Sequence, residues 1–442
     1  MIKKTQFEIA ILIFLVVNIY LSYKLDTILY NYFFNLSYNF ETLYLKNFFI
    51  GITELGDSLW YFLIIISVFL LSFLSNKIKL ISNKQLLYLK KLSVFSFFYL
   101  ILVGLVTQLL KHIIGRPRPN YADLDIGTSF NFFSTDASFH SFPSGHSSTI
   151  VAIALILGLL IPSLRVFFLF LSFVVALSRV VVGAHFTTDI IAGALVAIIL
   201  YKIFLIFLEK HYPSMSVHNF KIKKTSFLLK TNVIFLIIGV FVTVGHAFDI
   251  FLSSLFYNGD AQFFLQSPHM LSVIFRDILL PLLVLYIFVL PVIGSFTPIQ
   301  KIYFGYKFHL KEIIFVWVSG ATTLIIVINI LLKDMWGRAR PNDILEFGGK
   351  NVFSPWYKLS DSCVSNCSFV SGDASVGFTL IVFYFITKKN IFIYLSVLFG
   401  ASLGFVRIVA GGHFFSDIVF SQIIVTSMIF SSFFIYKRIL NE

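Results

Sequence analysis

The sequence predicts an all-α, polytopic membrane protein of about twelve transmembrane helices, built as two six-helix bundles. Three observations lead there. The 442-residue chain has a mean hydropathy of +0.90 and 55 phenylalanines. Long apolar runs recur along its whole length. One pattern of spaced polar residues occurs twice. Apolar runs of about 18 or more residues with few charges are long enough to cross hydrocarbon. Twelve are found, near residues 7–23, 57–75, 93–112, 147–162, 165–182, 187–208, 229–248, 275–294, 312–332, 374–387, 390–408 and 415–436. Phe, Leu and Ile are what a lipid-facing helix uses, and no soluble domain is left over. The shorter runs are expected to extend into neighbouring turns or to be shielded by protein.

The formal net charge of +13 would suggest nucleic acid for a soluble chain. Here the cations fall between spans instead. Lys77, Lys79, Lys84, Lys90 and Lys91 follow the second span, and Lys221, Lys223, Lys224 and Lys230 the sixth. Lys301, Lys307 and Lys311 follow the eighth, and Lys388 and Lys389 the tenth. With Lys3, Lys4, Lys437 and Arg438 they share one side of a twelve-span protein, which predicts cytoplasmic termini. The first apolar run has no small-residue cleavage site after it and reads as an uncleaved span.

Taken in order, residues 24–56 mix aromatic side chains with Asp26, Glu41 and Glu54 and read as an interfacial segment. Asp57 caps the second span. The third span ends at Lys111 and His112. A loop punctuated by Gly, Pro, Asn and Asp covers 113–142, and the turn Pro143-Ser144-Gly145-His146 opens the fourth span. Pro162-Ser163 turns the chain into the fifth span, and Arg179 to Asp189 crosses to the sixth. A charged stretch with Pro213, His211 and His218 then separates two domains, assigned to 1–212 and 229–442 with a linker over 213–228.

The second domain repeats the plan. Lys111 and Lys333 are 222 residues apart (333 − 111), as are Arg118 and Arg340. Ser144 and Ser371 are 227 apart (371 − 144). Arg179 and Arg407, His185 and His413, and Asp189 and Asp417 are each 228 apart (407 − 179). Two loop insertions account for the drift, so the chain holds two copies of one structural unit. The other seven histidines have no repeat partner and read as structural or solvated.

Taken singly, each of these residues has an ordinary explanation. An Arg or His at a span end is an interfacial anchor, Ser-Gly at a helix start is a cap, and a His–Asp pair four apart is a surface pair. All of them on one membrane side, in one order, twice, is a different matter. Arg offers a planar fork to phosphate oxygens and Lys a point charge. Seven residues apart, Lys111 and Arg118 share a face if their helix continues that far. Ser144 and Gly145 place free backbone N–H groups and the positive end of a helix dipole beside an anion. Asp189 can fix the tautomer of His185 and leave its other nitrogen nucleophilic. His146 is then free to act as acid toward a leaving oxygen. These are parts for gripping and transferring a phosphoryl group.

Lys111-x6-Arg118-Pro119, Pro143-Ser144-Gly145-His146 and Ser178-Arg179-x5-His185-x3-Asp189 resemble the three-part signature of the type 2 phosphatidic acid phosphatase family. The resemblance implies a six-helix, metal-independent phosphatase without cofactor. It implies His185 as a nucleophile forming phosphohistidine, Asp189 as its orienter and His146 as general acid. It further implies Lys111, Arg118, Arg179 and the Ser144–Gly145 turn as phosphate binders.

The second copy keeps Lys333, Arg340, Ser371, Gly372, Arg407, His413 and Asp417 but has Val370 for the proline and Asp373 for the acid histidine. A carboxyl group among cations at a helix N-terminus stays ionised at neutral pH and donates a proton poorly. Three outcomes follow: the second site acts on a good leaving group, or burial keeps Asp373 protonated, or the site binds without turnover. The stretch Cys367 to Ser375 is similar to the lipid A phosphatase branch of the family. Cys363 and Cys367 both lie in the second outer loop and are expected to pair; no further ligands form a zinc pattern with them.

The expectation is an inner-membrane lipid phosphatase with sites on the periplasmic or exterior face and a lipid phosphate in the bilayer as its partner. Lipid A phosphates lead, ahead of undecaprenyl pyrophosphate. Transfer of the phosphoryl group to another lipid uses the same residues. A two-half transporter is the rival class, but it should hold its charges near the bilayer midplane rather than at span ends. A second half that only binds is the third reading.

Overall fold

The computed structural model describes residues 26, 28–33, 40–78, 83–119, 130–211, 226–259, 262–265, 269–294, 303 and 305–439. The chain divides into two compact units, Met1–Thr225 and Ser226–Glu442. Among the described residues regular structure is helical, with two isolated β-bridges, Tyr257 with Phe263 and Ile344 with Asn351.

The first unit contains α1 (Phe40–Ile52), α2 (Ser58–Ile78), α3 (Asn83–Ile114), α4 (Gly145–Leu160), α5 (Arg165–Val181) and α6 (Thr187–His211). α4 is its centre, packed on α3, α5 and α6. Its small residues, Ser147, Ser148, Ala152, Ala154 and Gly158, are buried and let neighbouring backbones approach. The closest approach is at Gly193 of α6, where a Cβ would lie 2.4 Å from the Ser144 carbonyl oxygen. With 16 residues α4 spans about 24 Å, short of the roughly 30 Å hydrocarbon layer, and the surrounding helices cover it.

The second unit contains α7 (Phe227–Val244), α8 (Ala247–Ser254), α9 (Met270–Ile293), α10 (Leu310–Lys333), α11 (Gly372–Thr387), α12 (Ile391–Val409) and α13 (Phe415–Ile439). Here α11 is the centre, against α12 and α13. α9 keeps only 11% of its most apolar stretch buried, which marks it as peripheral and lipid-facing. The core of this unit is phenylalanine-rich, with Phe369, Phe378, Phe383 and Phe392 fully enclosed.

Eight described helices are long and apolar enough to cross a membrane, and the pair Leu43–Gly56 and Ser58–Ser72, bent by 45°, is either a ninth, broken span or a re-entrant loop. α4 and α11 are apolar but shorter, and the expected span at 7–23 lies outside the described residues. Two local expectations change. Residues 40–56 are not a peripheral interfacial segment: α1 packs on α5, and the turn Thr53–Gly56 packs on α4. α3 stops at Ile114, so Lys111 and Arg118 do not share a helical face. Gly115 ends it with φ +57°, at a place where a Cβ would lie 1.6 Å from the Asn131 carbonyl oxygen. His185 lies in the crossing just before α6, as its place ahead of the sixth span implies. Asp57 does cap α2, accepting from the Leu59 N–H at 2.9 Å.

Candidate active site

In the first unit three chain segments bring the polar residues together. Lys111 ends α3, the 115–119 turn carries Arg118, and the α4 N-terminus carries Ser144, Gly145 and His146. Arg179 ends α5, and His185 lies in the turn before α6. Lys111, Arg118, Gly145, His146, Arg179 and His185 all line one cleft of about 510 Å³. The Lys111 ammonium sits over the start of α4, 3.5 Å from where a Gly145 Cβ would be. Ser144 is buried beneath and caps α4 through the Ser147 N–H. Arg179 donates to Thr53 Oγ1 at 2.8 Å, while the buried Nε atoms of Arg118 and Arg179 have no hydrogen-bond partner. Unclaimed guanidinium donors in a cationic cleft are suited to an oxyanion. The other end of the cleft is apolar, with Phe62, Leu100, Ile101 and Leu105.

Behind His185 lies a network that spacing alone did not reveal. His185 Nδ1 faces Asp189 Oδ2 at 3.6 Å and Ser141 Oγ at 3.5 Å, contacts that orient the ring without being close hydrogen bonds. Ser141 Oγ donates to the same carboxylate oxygen at 2.6 Å, and the Phe186 N–H donates to it at 2.9 Å. Arg116 then joins Asp189, at 2.6 Å, to Asp26, at 2.9 Å. Asp26 also accepts from the backbone N–H and hydroxyl of Thr188. Arg116 stacks over Phe186 at 4.3 Å. Burial on its own disfavours the Arg116 charge, but Asp189 and Asp26 outweigh that and hold its pKa above the ordinary value. Burial pushes His185 down to about 4, partly opposed by Asp189. Its ring is therefore neutral at neutral pH, with Nε2 as the edge turned away from the carboxylate.

The second unit rebuilds this arrangement. Arg338 joins Asp417 to Asp249 at 2.8 Å and stacks over Phe414 at 4.3 Å. Ser368 Oγ donates to Asp417 Oδ2 at 2.6 Å, and Asp249 accepts from Ser416. His413 Nδ1 lies 2.6 Å from the Ser368 carbonyl oxygen. A carbonyl only accepts, so Nδ1 carries the proton and Nε2 the lone pair. Burial brings His413 down to about 4 as well. Ser371 caps α11 through the Ala374 N–H, and a Gly372 Cβ would lie 3.1 Å from Lys333 Nζ. The peptide bonds before Pro143 and Val370 are both cis.

The second unit differs in what faces its cations. Asp373, in the place of His146, has its Oδ2 3.4 Å from Arg407 Nε and 3.9 Å from Arg276 Nε. Asn366 takes Arg340 through its carbonyl and carboxamide oxygens at 2.7 and 3.0 Å, and Lys333 through the carboxamide at 3.1 Å. Asn366 stands inside a closed ring, because the Cys363 and Cys367 sulfurs are bonded, with Cα atoms 5.7 Å apart.

The PAP2 superfamily model matches residues 93–213 and again 314–440, so each match contains one Lys, Arg, Ser-Gly, Arg and His–Asp series, while Asp26, Asp249 and Arg276 lie outside. The chain belongs to the PAP2 superfamily. The family match thus occurs twice on one chain, once with His146 and once with Asp373 at the start of the central helix. Among curated relatives, this PAP2 chain is 35% identical over 201 residues to the lipid A 4'-phosphatase of Francisella tularensis subsp. novicida (strain U112), covering 42% of this chain and 85% of the relative. It is 41% identical over 147 residues to the lipid A 1-phosphatase of Rhizobium etli (strain CFN 42), covering 32% of this chain and 62% of that relative. No solved structure matches.

Proposed function

We propose that this PAP2 protein is an integral-membrane lipid phosphatase working through phosphohistidine at the outer face of the cell inner membrane. Lipid A phosphates are its leading substrate class, in keeping with the names of its relatives. The observation that carries the reading is the first cleft. Three cations, two imidazoles and a helix N-terminus converge in it, and two buried guanidinium Nε atoms have no partner there. Lys111, Arg118, Arg179 and the Gly145 N–H hold the phosphoryl oxygens as charge shifts onto them. Nε2 of His185 attacks phosphorus in line, and the bond to the lipid oxygen breaks. His146 gives that oxygen a proton. His146 then takes a proton from the water that attacks phosphohistidine, and inorganic phosphate leaves. Asp189, held by Arg116, keeps His185 turned with Nε2 outward. The apolar end of the cleft suits a substrate whose chains stay among lipids.

The test is phosphate release from a panel of purified lipid phosphates, with chelator present throughout. His185→Ala is expected to lower release from a lipid monophosphate by at least about 10³-fold. Undiminished release by a variant carrying both His185→Ala and His413→Ala would sink the phosphohistidine reading. Activity that requires added metal would sink the metal-independent one.

A further inference from the structure

Proton supply differs between the two sites. In the first, the imidazole of His146 stands beside the cleft, and the residues of the α2 end that line it, Asp57, Ser58 and Phe62, include no cation. In the second, a carboxylate takes that place, and a guanidinium from the outer end of α9 faces it: Arg276, with about half of its side chain accessible (53%). Asp373 Oδ2 lies 3.9 Å from Arg276 Nε and 3.4 Å from Arg407 Nε, so the carboxylate is engaged by two guanidinium groups. A carboxylate oxygen that faces two guanidinium donors is placed to accept, not to hand a proton to a leaving alkoxide. The attacking half of the site is nevertheless complete, with His413 holding its proton on Nδ1 against Ser368 and its lone pair on Nε2.

We infer that the second site is built for a lipid-linked diphosphate, with Arg276 receiving the departing phosphate and Asp373 acting as the base for water. The inference rests on the phosphohistidine reading above. Nε2 of His413 attacks the terminal phosphorus. The bond from that phosphorus to the bridging oxygen breaks, and its electron pair leaves on the lipid monophosphate, which is a stable anion without a proton. Arg276, 3.9 Å from Asp373 Oδ2, neutralises the charge that develops on the leaving group. Water then attacks the phosphohistidine. One of its protons passes to Asp373 Oδ2, the electron pair of the phosphorus–nitrogen bond returns to Nε2, and inorganic phosphate departs. Asp373 afterwards releases its proton to solvent. The first site carries an imidazole there, whose protonated form an incoming phosphate anion favours, and is the one equipped for monoesters. Arg276 is thus a substrate-contacting residue that the first unit does not supply from its matching helix, since α2 has no cation before Lys77.

The experiment uses the full-length chain carrying His185→Ala, so that only the second site turns over. A matched pair of substrates, one lipid alcohol as its monophosphate and as its diphosphate, is presented in detergent. The diphosphate is expected to be hydrolysed about 10²-fold faster than the monophosphate, the usual weight of general-acid help. Adding Arg276→Ala is expected to lower kcat on the diphosphate about 10²-fold, and Arg276→Lys to recover part of it, which a folding defect would not do. Asp373→Asn is expected to accumulate phosphate on His413, seen as radiolabel retained on the protein. Equal rates on the two substrates, or an Arg276→Ala variant as fast as its parent, overturns the inference. So does a His185→Ala chain inactive on both substrates while the unmutated protein remains active, and that result leaves the phosphohistidine reading intact. Full activity in the chain lacking both histidines is the separate result that fails the underlying reading.

Discussion

Arg116 and Asp189 meet at 2.6 Å with at most 5% of either side chain open to solvent, and Arg338 and Asp417 repeat the pairing in the second unit. Each arginine holds a second carboxylate with its other nitrogen, Asp26 in one case and Asp249 in the other. Removing one partner from such a group leaves buried charge without compensation. Arg116→Ala is therefore expected to destabilise the first unit by about 3–5 kcal/mol. Arg116→Lys should be nearly as harmful, because one ammonium cannot reproduce a fork that binds Asp189 and Thr188 through Nη1 and Asp26 through Nη2. Denaturant unfolding in detergent measures both. A change under about 1 kcal/mol, the level of an exposed ion pair, would refute the account.

The two buried histidines set a pH dependence. His185 and His413 titrate near 6.5 when unfolded and are brought down to about 4 in the native protein, chiefly by burial. Between about 6.5 and 4 the unfolded chain binds more protons than the folded one. Stability is then fully present above pH 6.5 and falls as the pH drops through that window. The same depression keeps Nε2 of His185 unprotonated in mild acid. After allowance for the substrate's own second ionisation near pH 6, the acid limb of kcat/KM on a monoester is expected near pH 4. A limb at the ordinary histidine value, about 6.5, would contradict the burial argument.

The repeat made the cations, the Ser-Gly turns and the His–Asp pairs legible, because each recurs at an offset of 222, 227 or 228 in sequence. Arg116 and Arg338 recur at 222, and Ser141 and Ser368 at 227, so the same comparison contains them. In sequence Arg116 sits two residues from Arg118 in one Gly-Arg-Pro-Arg-Pro run and reads as a duplicate of it. The fold separates the two: Arg118 turns to the cleft and Arg116 to the carboxylates behind it. Asp26 and Asp249 are 223 apart (249 − 26), an offset shared by Leu29 with Leu252 and Phe33 with Phe256, but these segments lie far upstream of the three motifs, so the spacing alone does not tie them to the site. The end of α3 is not legible in periodicity, which cannot see that Gly115 takes φ +57°. The Asn366 contacts were not legible either, as they depend on how the loop folds back over Lys333 and Arg340.

Gly56 tests the placement of His146. A Cβ at Gly56 would lie 2.7 Å from His146 Cβ and 2.8 Å from its Cδ2, so Gly56→Ala must displace the imidazole. Hydrolysis of an alkyl phosphate, which needs a proton on the leaving oxygen, is expected to slow by about 10²-fold. Hydrolysis of p-nitrophenyl phosphate, whose phenolate leaves without one, should change much less. Measured in the His413→Ala chain, equal losses on the two substrates would mean that the methyl group disturbs the bundle rather than the acid.

The ring closed by Cys363 and Cys367 gives the second site a sensitivity the first lacks. Asn366 inside it has φ +49°, donates its N–H to Asp334 Oδ1 and accepts from both Arg340 and Lys333. Opening a ring of this size relaxes the chain by only about 2 kcal/mol, too little to unfold a helical bundle but enough to release Asn366 from the two cations it aligns. Cys363→Ser with Cys367→Ser, or reductant alone, is therefore expected to raise KM at the second site about fivefold or more with a smaller effect on kcat, the pattern of lost substrate positioning. The first site, assayed in a His413→Ala chain, should be indifferent to reductant. An unchanged KM in the reduced His185→Ala chain would show that Asn366 holds Lys333 and Arg340 without help from the disulfide.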